Sequence, residues 1–262
     1  MERKALNKVL AVAQNVLNEC IRHKILNVLF IFAAAIIGGS FIIKELAPGA
    51  EKRALVDIGY ASIELFGFLT LIISIFLTSF EEFEMRNIWI TLTKPLSRTA
   101  YLIGKFLGIS FALLLNISLM FILLMGLSLL NGVALDLNYL LVIVGVSLSL
   151  LVTIAFTLLF SLVSTNLPTG ITFASLFFFI GHLSTHLNTL AEKSNTLPAL
   201  KIVLKVIYYL LPNLSVFNLK DKVYFVDGTF NLLYIFTTTG YAVAYIVVCL
   251  IISNIAFSKK EM

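Results

Sequence analysis

Three side chains combine reactive chemistry with suggestive spacing in an otherwise apolar sequence. His182 and His186 stand four residues apart, so on a helix they share one face, a spacing that suits a pair of metal ligands. Glu64 is the one acidic residue inside a long apolar run, where a carboxylate is either paired with a polar partner or part of a proton pathway. Two imidazoles do not complete a metal site, and no cysteine or carboxylate stands at a matching position nearby. Polar residues at an outer helix end are the better account of the histidines. For Glu64, near the outer end of its run, solvation or pairing with Asn or Lys outweighs a proton relay. No metal is therefore expected, although all three residues are candidates for a substrate path or outer gate.

Larger catalytic signatures are missing. The chain has no G-x-x-x-x-G-K-[ST], H-E-x-x-H or G-x-S-x-G, and no pair of carboxylates in the middle of an apolar run. It is not expected to be an enzyme by itself or to hold a cofactor. Any work drawn from ATP would be done by a partner.

The elements that must position these residues follow from composition. Of the 262 residues, 60% are hydrophobic and 13% charged, and the mean hydropathy is +1.01, a balance outside the range of soluble domains. The expected fold is all-α: a polytopic integral membrane protein forming a single transmembrane domain over residues 1–262. Six spans are expected, at about 25–43, 58–80, 106–130, 138–164, 168–187 and 231–257, each long enough to cross a core of roughly 30 Å. The charge-free run between Asp136 and Glu192 is too long for one span, and Thr165-Asn166-Leu167-Pro168-Thr169-Gly170 supplies the turn that divides it. Cys20 and Cys249 are not placed to form an extracellular disulfide framework.

Two amphipathic segments flank the spans. Residues 1–24 carry Leu6, Val9, Leu10, Ala13, Val16, Leu17, Cys20 and Ile21 at helical spacing, with the basic residues largely off that stripe. They read as an interfacial helix with its apolar face toward acyl chains. Between spans five and six, residues 188–230 hold a second stripe, Leu200, Val203, Leu204, Ile207 and Leu211, opposed by Lys201 and Lys205. This outer segment should lie on, or dip into, the outer leaflet and end at Pro212. Gly104-x-x-x-Gly108 opens the third span with a spacing that permits close helix approach.

Six spans put both termini on one side. With that side cytoplasmic, 11 Lys and Arg fall on cytoplasmic segments against 8 outside, so both termini and the 81–105 loop are expected in the cytoplasm. The net charge of +5 then reports loop orientation and contact with anionic lipid, and no nucleic-acid partner is expected.

The charged stretch 81–98 separates spans two and three. Its three carboxylates, Glu81, Glu82 and Glu84, suit a helix N-terminus, Lys94-Pro95 suits a C-terminus, and Ser97 offers an N-cap for the next helix. A short helix between spans is the reading. This stretch, together with Lys94-Pro95-Leu96-Ser97-Arg98 and Leu102-Ile103-Gly104-Lys105-Phe106-Leu107-Gly108, resembles the first cytoplasmic loop of type 2 ABC exporter permeases, including the NosY-like group. Asn18-Glu19-Cys20-Ile21-Arg22-His23-Lys24 and Tyr209-Leu210-Leu211-Pro212-Asn213-Leu214 agree with that resemblance, while Arg86-Asn87 stands where the family often has Gly-Thr.

The resemblance implies a permease subunit of an ABC exporter in a bacterial or archaeal cytoplasmic membrane. It further implies an ABC ATPase subunit as partner, holding ATP and Mg, and a second permease copy completing a homodimer. Glu82, Glu84, Arg86, Trp89, Lys94 and Arg98 would then form the ATPase-coupling region, with spans two and five lining the dimer path. Alternatives are an intramembrane enzyme acting on lipid through Glu64, His182 and His186, and a secondary transporter. No recognisable catalytic constellation supports the first, and no internal repeat supports the second.

Overall fold

A single serine starts the longest stretch of apolar helix among the described residues. Ser97 has extended backbone (φ −71°, ψ 143°), and its hydroxyl accepts a hydrogen bond from the Ala100 amide at 3.2 Å, satisfying one of the unpaired donors of the first turn. The helix it starts runs to Leu130. There Asn131 caps it, and Gly132, at φ 72°, takes the left-handed conformation that a side chain would resist.

The computed structural model describes residues 2–22, 27–46, 51–84, 97–132, 138–164, 166–192, 198–219 and 232–259. Among these, all regular structure is helical: α1 (Glu2–Arg22), α2 (Asn27–Leu46), α3 (Glu51–Glu84), α4 (Arg98–Leu130), α5 (Asn138–Val163), α6 (Leu167–Glu192), α7 (Pro198–Leu210), a 3-10 turn (Leu214–Phe217) and α8 (Leu232–Lys259). Within the described residues, five stretches have the length and composition to cross a membrane: Ala54–Ile75, Arg98–Leu130, Tyr139–Val163, Pro168–Glu192 and Leu233–Ser258. A shorter apolar stretch, Val28–Ser40, lies in α2. The all-α, polytopic expectation therefore holds, with five to six apolar helices.

Two boundaries differ from the sequence reading. α3 runs unbroken from Glu51 to Glu84, so Glu81, Glu82 and Glu84 close the second span's helix and do not open a new one. Glu, Phe and Met tolerate helix, and no Gly or Pro intervenes after Phe80 to stop propagation. The carboxylates thus sit against the unfavourable end of the macrodipole. At its other end α3 begins at Glu51, ahead of Ile58, and Glu64 lies ten residues beyond Ala54.

The core forms where α3 meets α4, α5 and α6. Tyr60, Ile63, Leu71 and Ile75 of α3 are buried against Ile109, Leu113, Ile117, Met120 and Leu124 of α4 and Leu150 of α5. Close approach is bought with glycine: an added Cβ at Gly67 would fall 2.6 Å from the Leu150 side chain. Polar side chains join the spans as well, since Asn116 of α4 donates from Nδ2 to Thr70 Oγ1 at 2.7 Å and the Tyr60 hydroxyl donates to the Tyr139 carbonyl at 2.9 Å. α8, by contrast, turns Val243, Val247, Val248, Ile251, Ile252 and Ile255 outward, as a lipid-facing helix does.

Candidate functional site

The functional candidates fall at two ends of the bundle. At the first, the side chains of Glu82 and Glu84, with Arg86, Trp89 and Lys94, lie outside the described residues, as does the part of the expected short helix that follows Glu84. The frame holding that stretch is described. α3 delivers the chain at Glu84, and Ser97 restarts it in α4.

Arg98 is engaged within the chain. Its Nη1 donates to the carbonyls of Phe257 at 2.8 Å and Ser258 at 3.1 Å, and the guanidinium lies 5.6 Å from the Phe257 ring centroid. A cation on the last carbonyls of α8 complements that helix's C-terminal dipole. Thr99 adds a 3.0 Å bond to Asn254, and Tyr101 stacks on Phe257 with centroids 6.1 Å apart.

α1 docks on the same end of α4. A Cβ at Gly104 would lie 2.7 Å from Val12 Cβ and 3.0 Å from the Val9 carbonyl, and one at Gly108 would lie 2.7 Å from the Ala13 carbonyl. The small-residue spacing therefore seats the N-terminal helix. That helix spends its Val9, Val12, Ala13 and Val16 face on protein, where the sequence reading gave the whole face to acyl chains; Leu10 and Ile21 stay exposed. Cys20, on the packed face of α1 itself, is buried, and that burial pushes its thiol up to about 11. Lys105 of α4 is buried at the same seam, 5% exposed.

At the opposite end, α6 is the hub. Its Phe178 stacks on Phe68 of α3 with centroids 4.1 Å apart, and one turn later His182 Nε2 lies 2.8 Å from Glu64 Oε1. Both partners are partly buried, with side chains 26% and 18% exposed for His182 and Glu64. Glu64 thus finds a histidine where the sequence suggested Asn or Lys. His186, one turn further, is exposed, so the two histidines do not converge. Among the described residues no group of three His, Cys, Asp or Glu side chains could hold a metal ion.

A neighbouring face of the same α6 turn binds the 3-10 turn. Gly181 admits Leu214, whose Cγ would sit 2.7 Å from an added Cβ. Ser184 donates to Asn213 Oδ1 at 2.5 Å, and that oxygen also receives the Ser215 amide at 3.0 Å, while the Asn213 amide donates to the Tyr241 hydroxyl of α8 at 2.9 Å. The Thr185 and Ser215 hydroxyls are also hydrogen-bonded to each other. Asn213 therefore joins α6, the 3-10 turn and α8. Beyond Pro212 the chain enters the bundle, with Leu214, Phe217 and Leu219 buried, whereas α7 leaves Ile202, Val203 and Val206 exposed. The Pro-Asn pair ahead of an apolar run is a cap signal, and it could have identified Asn213.

This arrangement, a bundle of helices long and apolar enough to cross a membrane with a charged connection at one end and a polar belt at the other, defines a polytopic integral membrane protein. The chain belongs to the ABC-2 family of transporter proteins, whose sequence profile matches residues 42–255. It is accordingly the membrane component of an ABC transporter, a family that implies an ABC ATPase partner and does not itself catalyse hydrolysis. No curated protein sequence matches the chain.

Proposed function

We propose that this chain is the permease of an ATP-driven exporter in a bacterial or archaeal cytoplasmic membrane, close to the NosY-like group. It acts as a homodimer with two separate ATPase subunits that hold ATP and Mg. Family membership over residues 42–255 carries the reading. The layout supports it: the 85–96 connection leaves α3 and enters α4 at the end where α1 docks and α8 terminates.

In this reading Glu82, Glu84, Arg86, Trp89 and Lys94 dock in a cleft of the ATPase. Arg98 acts one step behind them, tying the start of α4 to the end of α8. Movement of the ATPase cleft would then shift α3 and α4 directly and α8 through Arg98. Glu64 and His182, on the second and fifth spans by sequence, face the path at the other end, and His186 stands outside it.

Co-purification tests the assignment. The tagged chain should bring down a P-loop ATPase encoded beside it, and the pair in vesicles should hydrolyse ATP and export substrate. An ATPase that neither binds nor responds to this chain would reject the reading. Orientation is tested separately. A cysteine at Asn87 should resist an impermeant thiol reagent in intact cells while one at Asn195 labels, and the reverse pattern would invert the topology.

A further inference from the structure

The geometry around His182 fixes how many protons its ion pair can hold. His182 Nδ1 lies 2.9 Å from the Phe178 carbonyl oxygen, which can only accept, so Nδ1 carries a hydrogen. The other ring nitrogen is 2.8 Å from Glu64 Oε1, a hydrogen-bonding distance that requires a hydrogen between the two atoms. That hydrogen belongs either to an imidazolium facing a carboxylate or to a carboxylic acid facing a neutral imidazole. Both forms contain the same single proton and are neutral as a pair, the condition under which two ionisable groups are tolerated among apolar helices.

Loss of that proton changes the contact completely. With the remaining ring hydrogen held on Nδ1 by the Phe178 carbonyl, a carboxylate would then face the lone pair of Nε2, leaving a net negative charge and no hydrogen bond between Glu64 and His182. A second proton leaves a bond from Nε2–H to a neutral acid, weaker than the charge-assisted one, with a net positive charge. We propose that Glu64 and His182 form a one-proton binding site that latches α3 to α6 while the proton is held and releases them when it leaves. The site requires no ATPase, so it stands or falls separately from the exporter assignment.

Among the described residues, other titratable groups on the packed elements are placed differently. On α3, Tyr60 donates to Tyr139 of α5, and Asp57 lies nearly two turns from Glu64. On α6, His186 is exposed one turn on, and Glu192 is further along. α7 contributes Lys201 and Lys205, both exposed, and the half-buried Tyr208. Cys20 and Glu19 of α1 and Lys105 of α4 gather near Ser74, ten residues or ~15 Å along α3 from Glu64.

Thermal unfolding of the full chain in lipid nanodiscs, followed from mildly acidic to alkaline pH, tests the site. The wild-type midpoint should fall by about 5 °C as the proton is lost, the order expected for one charge-assisted bond in a chain of this size. Glu64→Gln should lack that step, because its amide donates to the Nε2 lone pair without a titrating proton. Glu64→Ala should start lower and lack it too. An equal alkaline step in wild type and Glu64→Gln would overturn the proposal.

Nitrogen-15 NMR of the H23Q/H186Q chain, in which His182 is the remaining histidine, provides a second readout that leaves the pair intact. Nδ1 should stay protonated throughout, and the Nε2 signal should change over the pH range in which the midpoint falls. An unprotonated Nδ1, or an Nε2 signal that does not follow the midpoint, would also overturn it.

Discussion

The two ends of the bundle are held together by different chemistry. Where α1 meets α4, helices touch through Gly104 and Gly108, with carbonyl oxygens of α1 in the space a side chain would need. Where α6 meets α3 and the 3-10 turn, the Phe178–Phe68 stack and the seat of Leu214 on Gly181 are joined by side-chain hydrogen bonds of Glu64, His182, Ser184 and Asn213. Backbone-close packing has no alternative partner and is stiff. Hydrogen-bonded side chains can exchange partners at a cost of about 1 kcal/mol each.

The largest expected effect comes from filling the glycine seam. Gly108→Leu would drive a side chain into the Ala13 carbonyl and Val16, at a cost of about 3 kcal/mol, enough to lower the unfolding midpoint by roughly 6–12 °C. Gly126→Leu is the control, because nothing lies within 4 Å of its added Cβ. Equal effects of the two would dissolve the contrast between the ends.

Asn213→Ala should rank second. It strands the Ser184 hydroxyl and the Ser215 amide, costing about 2 kcal/mol, whereas Asn213→Asp keeps the accepting oxygen and should lose less. Similar midpoints for the two variants would show that the accepting oxygen is not what joins α6 to the turn. Arg98→Ala comes next, at about 1 kcal/mol, and should appear as faster amide exchange in the last turn of α8. Unchanged exchange there would remove Arg98 as the tie between α4 and α8.

The sharpest local probe belongs to Cys20. Its thiol is raised to about 11 by burial, so the protonated form contributes stability in full below the ordinary value of 9.0 and loses that contribution as pH climbs toward about 11. Maleimide should label it slowly at neutral pH, and Gly108→Leu should speed labelling by lifting α1. Fast labelling of the unaltered protein would mean that α1 is not seated.

Much of this was legible before the fold was known, for local reasons. Charge-free runs marked the apolar helices, Ser97 announced its helix, and Pro168 sits where a first helical turn accepts proline. What escaped the sequence reading depends on partners far apart in the chain. His182 and Glu64 are separated by 118 positions, and nothing near either one names the other. The docking of α1 was half visible, because Gly104-x-x-x-Gly108 advertised a close approach without saying which helix would take it. The acidic residues 81–84 misled because a rule for helix ends was applied where no breaker ended the preceding helix.

The central claim is that the end carrying the 85–96 connection meets the motor. A photo-crosslinking residue placed at Trp89 measures this directly, with the same residue at the exposed Val203 of α7 as the opposite-end control. With the ATPase co-expressed, position 89 should yield a covalent adduct with that subunit and position 203 none. An adduct from 203, or none from 89 in a complex that still hydrolyses ATP, would contradict the account.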